Sequence, residues 1–355
     1  MSAEVSPMPV RSRVAAVPAA RDQASGFLFS PLIDLLFIAN ICWPLILFID
    51  GFGGATTHQS LTFWQIYFIT TPHRWITLVL VGLDKKKTAD RRGLFIGLAL
   101  AIVAGCLCLR FGTGTLLCLG VIDYIWNAWH FSSQHHGIYR IYQRRQPQHR
   151  DNGASWGEKA LFRGFVLYVI ARVAGWGWTE GPFPGSDAFA PLDLIVAGIP
   201  LYFVLRQLFQ MRSLAASGIA SFAYLASMMG LFTAMLYASH LQDSQLVLRL
   251  ALASAIFHSL EYLAIVTWSV QQSRGKPAST GDAQPGVFAY LAGMWMLFLV
   301  AFVVLIGVGN YLLSRGYFEV WLLVNMIVAF WHYCFDGLIW KSPKRTRADL
   351  AVEAA

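Results

Sequence analysis

The sequence predicts an all-α, polytopic integral membrane protein with about ten transmembrane helices and both termini cytoplasmic. Three observations carry this reading. The 355 residues are 56% hydrophobic and 13% charged, about half the charge of an ordinary soluble chain. Stretches such as 94–111 and 287–311 run for the length of a bilayer crossing with almost no charge. The basic residues fall on alternate connections. Ten spans of about 20–25 residues use most of the chain, which leaves no room for a separate soluble domain.

The apolar runs place helices at approximately 29–49, 61–83, 94–111, 115–142, 159–178, 192–211, 218–240, 246–270, 287–311 and 317–340. With the N-terminus inside, the outer connections are 50–60, 112–114, 179–191, 241–245 and 312–316. They hold one basic residue, Arg315, beside acidic Glu180, Asp187 and Asp243. Every inner segment is basic: Lys85, Lys86, Lys87, Arg91 and Arg92; Arg140, Arg144, Arg145, Arg150 and Lys159; Arg206 and Arg212; Arg274 and Lys276; Lys341, Lys344, Arg345 and Arg347. The positive-inside rule therefore sets the orientation. It also accounts for the net charge of +8, so nucleic acid is not an expected partner.

Residues 1–26 read as a flexible cytoplasmic tail, 27–341 as a single transmembrane helical domain, and 342–355 as a basic cytoplasmic tail. Arg11, Arg13 and Arg21 lie among Ala and Pro with no following h-region and cleavage site, unlike a secretory signal. The expected location is a bacterial inner (cytoplasmic) membrane. The stretch 271–286, rich in Gln, Ser and Gly, is the one linker-like segment. Cys42, Cys106, Cys108, Cys118 and Cys334 lie in apolar segments without a C-x-x-C pair, so neither disulfides nor a zinc knuckle are indicated. A faint internal echo joins Asp123…Trp129-His130-Phe131 to Asn325…Trp331-His332-Tyr333.

The chemistry lies in polar residues that hydrocarbon excludes, which are functional candidates by default. His58, His149 and His240 fall in loops or at a helix end. His73, His130, His258 and His332 fall on four helices that all run from outside to inside. Each lies about 12–15 residues from the outer boundary, ~18–22 Å deep at 1.5 Å per residue, so they share one layer. His258 and Glu261 are i,i+3 and His332 and Asp336 are i,i+4, so each pair shares a helix face. Asp123, Asn127, His130 and Gln134 form a further single-face ladder. One intramembrane histidine is more often a helix–helix hydrogen bond than a ligand. Four at one depth beside two carboxylates point to a metal, because bundle cores build carboxylate–histidine centres this way. Mixed imidazole and carboxylate donors suit iron, manganese or zinc. With Glu261, Asp336 and Asp123 beside the four histidines, the donors exceed what one six-coordinate ion needs, so two ions are expected.

His130, His135 and His136 cannot share one face of an unbroken α-helix. A π-bulge between 130 and 135 would align the first two. Alternatively, His135 and His136 lie at the cytoplasmic interface, with a second metal or with membrane lipid phosphate near Arg140, Arg144 and Arg145. Arg163 and Arg172 are expected to snorkel or to meet a headgroup. Trp64, Trp75, Trp126, Trp129, Trp156, Trp176, Trp178, Trp268, Trp321 and Trp340 read mostly as an aromatic belt, and the deeper Trp126, Trp129 and Trp331 read equally as packing or as the lining of a substrate cavity. Tyr262 shares the His258 face and reads first as packing, second as a donor behind the ligands.

The H-x4-H-H segment His130–His136 resembles a histidine box of the integral-membrane desaturase, hydroxylase and alkane-monooxygenase families. The H-x3-H and H-x2-H-H boxes of those families are absent, and single histidines on separate helices stand in their place. The spread also resembles the Brp/Blh-type carotenoid-cleaving membrane dioxygenases, in which a few histidines from several helices hold one iron. These resemblances imply O2-dependent oxidation of a lipid, fatty-acyl or isoprenoid substrate from the bilayer, with a cytoplasmic electron donor on the basic inner face. Two other classes remain. A b-type haem carrier would use paired histidines as axial ligands, and an ion-coupled transporter would use a His/Asp/Glu relay.

Overall fold

The computed structural model describes residues 26–83, 88, 91–146, 155–182, 184–211, 216–274 and 287–340. The two tails, the basic cluster at 85–87, Arg150, Arg212 and the expected linker beyond residue 274 lie outside the described residues. Helix is the only regular element among the described residues. Seven helices are long and apolar enough to cross a membrane, or eight if a bent N-terminal pair counts as one span. This suggests an integral membrane protein.

The chain begins with α1 (Pro31–Ile33), which runs directly into a π-helical turn at Asp34–Ile38. Ser30 caps α1 and Pro31 occupies its first turn. The Asp34 carboxylate then accepts from the amides of Leu28 and Phe29 at 2.6 and 3.0 Å, and from the Tyr142 hydroxyl at 2.9 Å. At Asn40 the backbone turns left-handed, φ 45°, and its amide holds the Phe37 carbonyl at 3.1 Å. Asn tolerates this region because its short side chain bonds locally. The chain bends by 54° across this break.

Beyond it, α2 (Trp43–Trp64), a π-helical segment (Gln65–Thr70) and α3 (Thr71–Leu83) form one continuous rod. This corrects two expectations. Residues 50–60, expected as an outer loop, are helical, and His58 lies inside α2. The π-turn offered as one way to align His130 with His135 is not formed, since Leu117–Arg144 is α-helical throughout; the π-helical segments are at Asp34–Ile38 and at Gln65–Thr70, the second directly before Pro72 and His73. Proline has no N–H to give the preceding turn, and a widened turn lets the helix pass it. Then follow α4 (Arg92–Thr113), α5 (Leu117–Arg144), α6 (Trp156–Val173), α7 (Ser186–Gln210), α8 (Ala216–His240), α9 (Ser244–Arg274), α10 (Val287–Gly293), α11 (Trp295–Gly316) and α12 (Phe318–Ile339). Gly114 ends α4 in the left-handed region, and Ser155 caps α6.

The most apolar window of α9 is 67% buried and those of α8 and α12 are 56% buried, against 11% for α4 and α11. The polar helices therefore form the centre and the apolar ones the rim. Few contacts at the rim are polar, but they fix register. Asn325 donates to Asn310 at 2.9 Å, Tyr67 meets Ser314 at 2.8 Å, and Trp331 donates to the Ala99 carbonyl at 3.1 Å. Arg172 does not snorkel: buried on α6, it forms a bidentate pair with Asp193 on α7 at 2.9 Å. Arg163 lies over the Trp129 ring, 5.1 Å from its centroid.

Gly307 on α11 packs against the π-segment so closely that a Cβ would lie 2.6 Å from the Phe68 ring and 3.0 Å from the Tyr67 carbonyl oxygen. Gly307→Ala should therefore destabilise the protein by about 1–3 kcal/mol, read as a lowered melting temperature in detergent. Gly309, with open space around its Cα, is the control, and equal effects at both positions would contradict this packing.

Candidate metal centre

Four helices bring imidazoles to one place. The π-segment and α3 carry His73, α5 carries His130, α9 carries His258 and α12 carries His332; all four rings are buried. The His73 ring lies 5.2 Å from that of His258 and 5.0 Å from that of His332. His130 lies 5.2 Å from His258 and 4.6 Å from His332. The Nε2 atoms of His130 and His332 face one another at 3.1 Å. The two segments of the internal echo thus meet ring to ring.

Outer contacts hold these rings. Ser259 Oγ meets His73 Nδ1 at 3.1 Å while donating to the Ala255 carbonyl at 2.8 Å. Thr77 Oγ1 meets His332 Nδ1 at 2.7 Å. The Phe131 ring stacks on His258 at 3.8 Å. Neither nitrogen of His258 has a hydrogen-bond partner among the described residues. A buried polar atom left so is costly, and a bound cation would satisfy it.

Two groups of three donor atoms, each within 4.8 Å, overlap here: His73, His258 and His332; and His130, His332 and Asp336. A third group joins His135, His258 and Glu261. A metal–imidazole distance of about 2.0–2.1 Å places neighbouring ligands of one ion ~3 Å apart and opposite ones ~4 Å apart. The His130–His332 contact of 3.1 Å is an imidazole–imidazole hydrogen bond, and its length is also that of neighbouring ligands on one ion and shorter than that of an opposed axial pair.

The carboxylates are already engaged. Asp336 Oδ1 accepts from the Tyr262 hydroxyl at 2.6 Å and from Trp340 Nε1 at 2.7 Å. Glu261 is fully buried. Its Oε1 meets Gln134 Nε2 at 2.8 Å and His135 Nδ1 at 2.9 Å, and its Oε2 accepts from Tyr224 at 3.0 Å. His135 therefore lies beside the histidine layer, its ring 5.9 Å from that of His258. His136 faces Phe162 at 5.3 Å and belongs to none of these groups. Asp123 also stands apart: it accepts from the Tyr333 hydroxyl at 3.0 Å and is an electrostatic partner of Arg74.

No family model, curated protein or solved structure matches this chain. The site is therefore read from its own geometry. Of the nine sequence candidates, the structure brings His73, His130, His258 and His332 together, with Asp336, Glu261 and His135 beside them. It leaves His136 and Asp123 outside. The sequence reading passed over Thr77, Ser259 and Tyr224, the hydroxyls that hold the site. Thr77 lies one helical turn after His73, a spacing that could have flagged it.

Proposed function

We propose that this chain is a membrane-embedded non-haem iron enzyme, an O2-dependent oxygenase, hydroxylase or desaturase that takes a lipophilic substrate from the bilayer. One observation carries the reading: four buried imidazoles from four helices converge, with two Nε2 atoms 3.1 Å apart and with both His258 ring nitrogens lacking a hydrogen-bond partner among the described residues. His73, His130, His258 and His332 would hold the ion. Iron bound there supplies the activation of O2 that oxidation of an unreactive lipid, fatty-acyl or isoprenoid carbon requires. One ion is proposed instead of the two that the donor count suggested, because N–H and O–H donors already occupy the carboxylates. Manganese or zinc would fit the same donors.

A substrate of this class is supported by an apolar crevice of about 180 Å3 at the α1–α2 break, lined by Trp43, Leu45, Ile46, Ile49, Phe257 and Leu260. Leu45 and Ile49 are also exposed on the outer surface. The Phe257 ring, at the crevice wall, lies 5.4 Å from His135. The protein's own groups would exclude water and orient the ligands: Phe131 covers His258, and Ser259 and Thr77 hold His73 and His332. Electrons would come from a cytoplasmic donor on the basic inner face. The resemblance to the histidine-box oxidases and Brp/Blh-type dioxygenases belongs to this same reading.

Metal analysis and an optical spectrum of detergent-purified protein test it. About one iron per chain without a Soret band is expected. A Soret band would move the reading to a haem carrier, and a folded, active, metal-free protein would move it to a transporter.

The proposed topology counts the continuous helix from Trp43 to Leu83 once, where the sequence reading had two spans, and adds α5 and α6 to give nine spans, with the end of α9 and the C-terminus on the cytoplasmic side of the cytoplasmic membrane. Glu180 and Gln272 are both exposed. In a chain cleared of its native cysteines, Glu180→Cys should react with a membrane-impermeant maleimide in intact cells and Gln272→Cys only after lysis. The reverse pattern would invert the topology.

A further inference from the structure

We propose that Asp336 acts on the metal centre through Tyr262 and Thr77, as a positioning carboxylate for His332 and not as a ligand. The proposal rests on the four-histidine reading above and deepens it. The juxtaposition is a chain of three short contacts: Asp336 Oδ1 to Tyr262 OH at 2.6 Å, Tyr262 OH to Thr77 Oγ1 at 2.8 Å, and Thr77 Oγ1 to His332 Nδ1 at 2.7 Å. It joins α12 to α9, α9 to α3, and α3 back to α12.

Proton counting gives the chain a direction. An ionised carboxylate only accepts, so the single Tyr262 proton goes to Asp336. The Tyr262 oxygen can then only accept from Thr77, which donates its own single proton there. The Thr77 oxygen must therefore accept from His332, which places a proton on Nδ1. The Nε2 of His332, 3.1 Å from His130 Nε2, is left as a bare lone pair for a metal. Trp340 Nε1 donates to the same Asp336 oxygen at 2.7 Å and holds the carboxylate at the far end.

His73 is set in the same sense but without a charge behind it. Ser259 gives its proton to the Ala255 carbonyl at 2.8 Å and so accepts from His73 Nδ1 at 3.1 Å. The two ligands differ in strength for this reason. A carboxylate behind a ligating imidazole makes it a stronger donor, and intervening hydroxyls polarise one another along a buried chain. His332 is thus the most electron-rich of the two.

The test measures Co2+ binding to the metal-stripped, full-length protein in detergent, by chelator competition and by the visible ligand-field spectrum. Thr77→Val and Tyr262→Phe should each weaken Co2+ about 10–100-fold, as losses of outer-shell partners do, and shift the bands. Thr77→Ser keeps the hydroxyl and should restore both readouts, which separates the relay from a loss of packing. Because both residues act through one chain, the Thr77→Val/Tyr262→Phe double variant should be little weaker than either single one. Ser259→Ala, acting on His73, should combine additively with either.

Three results would overturn the proposal. Thr77→Ser could behave as Thr77→Val does. Thr77→Val and Tyr262→Phe could leave affinity and spectrum unchanged while Asp336→Asn abolishes binding, the pattern of a directly ligating carboxylate. A wild-type protein that binds no Co2+ would contradict the four-histidine reading itself, and this proposal with it.

Discussion

Replacing His332 with alanine is expected to empty the metal centre. His332 belongs to both overlapping groups of donor atoms that include Asp336 or His73. Its ring lies against His73, His130 and Tyr262. Removing it takes away one of four nitrogen donors and leaves Thr77 without its partner on α12. Metal content of the purified variant should fall close to zero while the helical circular-dichroism signal persists. His136→Ala is the matched control: its ring packs on Phe162, so metal content should match wild type. Wild-type loading in His332→Ala would remove His332 from the centre.

Arg172→Met should be the most destabilising single change away from the centre. Arg172 and Asp193 are both almost fully buried, with paired contacts at 2.9 Å. Tyr168 donates to the same carboxylate at 2.7 Å and His240 Nδ1 lies 3.0 Å from it. Two neutral or weakly basic partners do not replace a guanidinium. Breaking one half of a buried pair leaves an uncompensated charge and costs about 3–5 kcal/mol. A large drop in melting temperature in detergent is expected. The double variant Arg172→Met/Asp193→Leu removes both charges and should recover much of the loss. Wild-type stability in Arg172→Met would show that the pair is not needed.

Much of this arrangement is legible in the sequence, for physical reasons. Depth in a span is one-dimensional and countable, so His73, His130, His258 and His332 fall in one layer on helical rise alone. The structure brings those four rings together. The Asp123/Asn325 echo likewise identified the two histidines that face one another. Legibility failed where local and tertiary preferences compete. Gly51, Gly53, Gly54 and the polar residues Thr56 to His58 read as a loop, yet the segment is helical, because tertiary context overrides weak propensity. The real break, at Asn40, is a single left-handed residue inside an apolar run, with no composition signal. The π-helical turns lie away from the densest histidine cluster, at Asp34–Ile38 and just before Pro72.

The carboxylates show a different limit. Spacing established that Glu261 and His258, and Asp336 and His332, lie on common faces. It could not show what stands between them. Tyr262, read first as packing, and Trp340, read as part of the aromatic belt, both donate to Asp336. Tyr224 and Gln134 do the same for Glu261. These partners come from other helices or from the far end of the same one, so hydrogen bonding across the bundle decides whether an acid is a ligand or a support.

X-ray absorption at the metal edge of the purified protein tests the four-histidine centre most directly. A first shell of nitrogen and oxygen at about 2.0–2.2 Å is expected, with the outer-shell scattering of several imidazoles. That imidazole signal should diminish in His332→Ala and in His258→Ala. A shell without imidazole scattering, a porphyrin pattern, or protein that holds no metal would contradict the four-histidine centre.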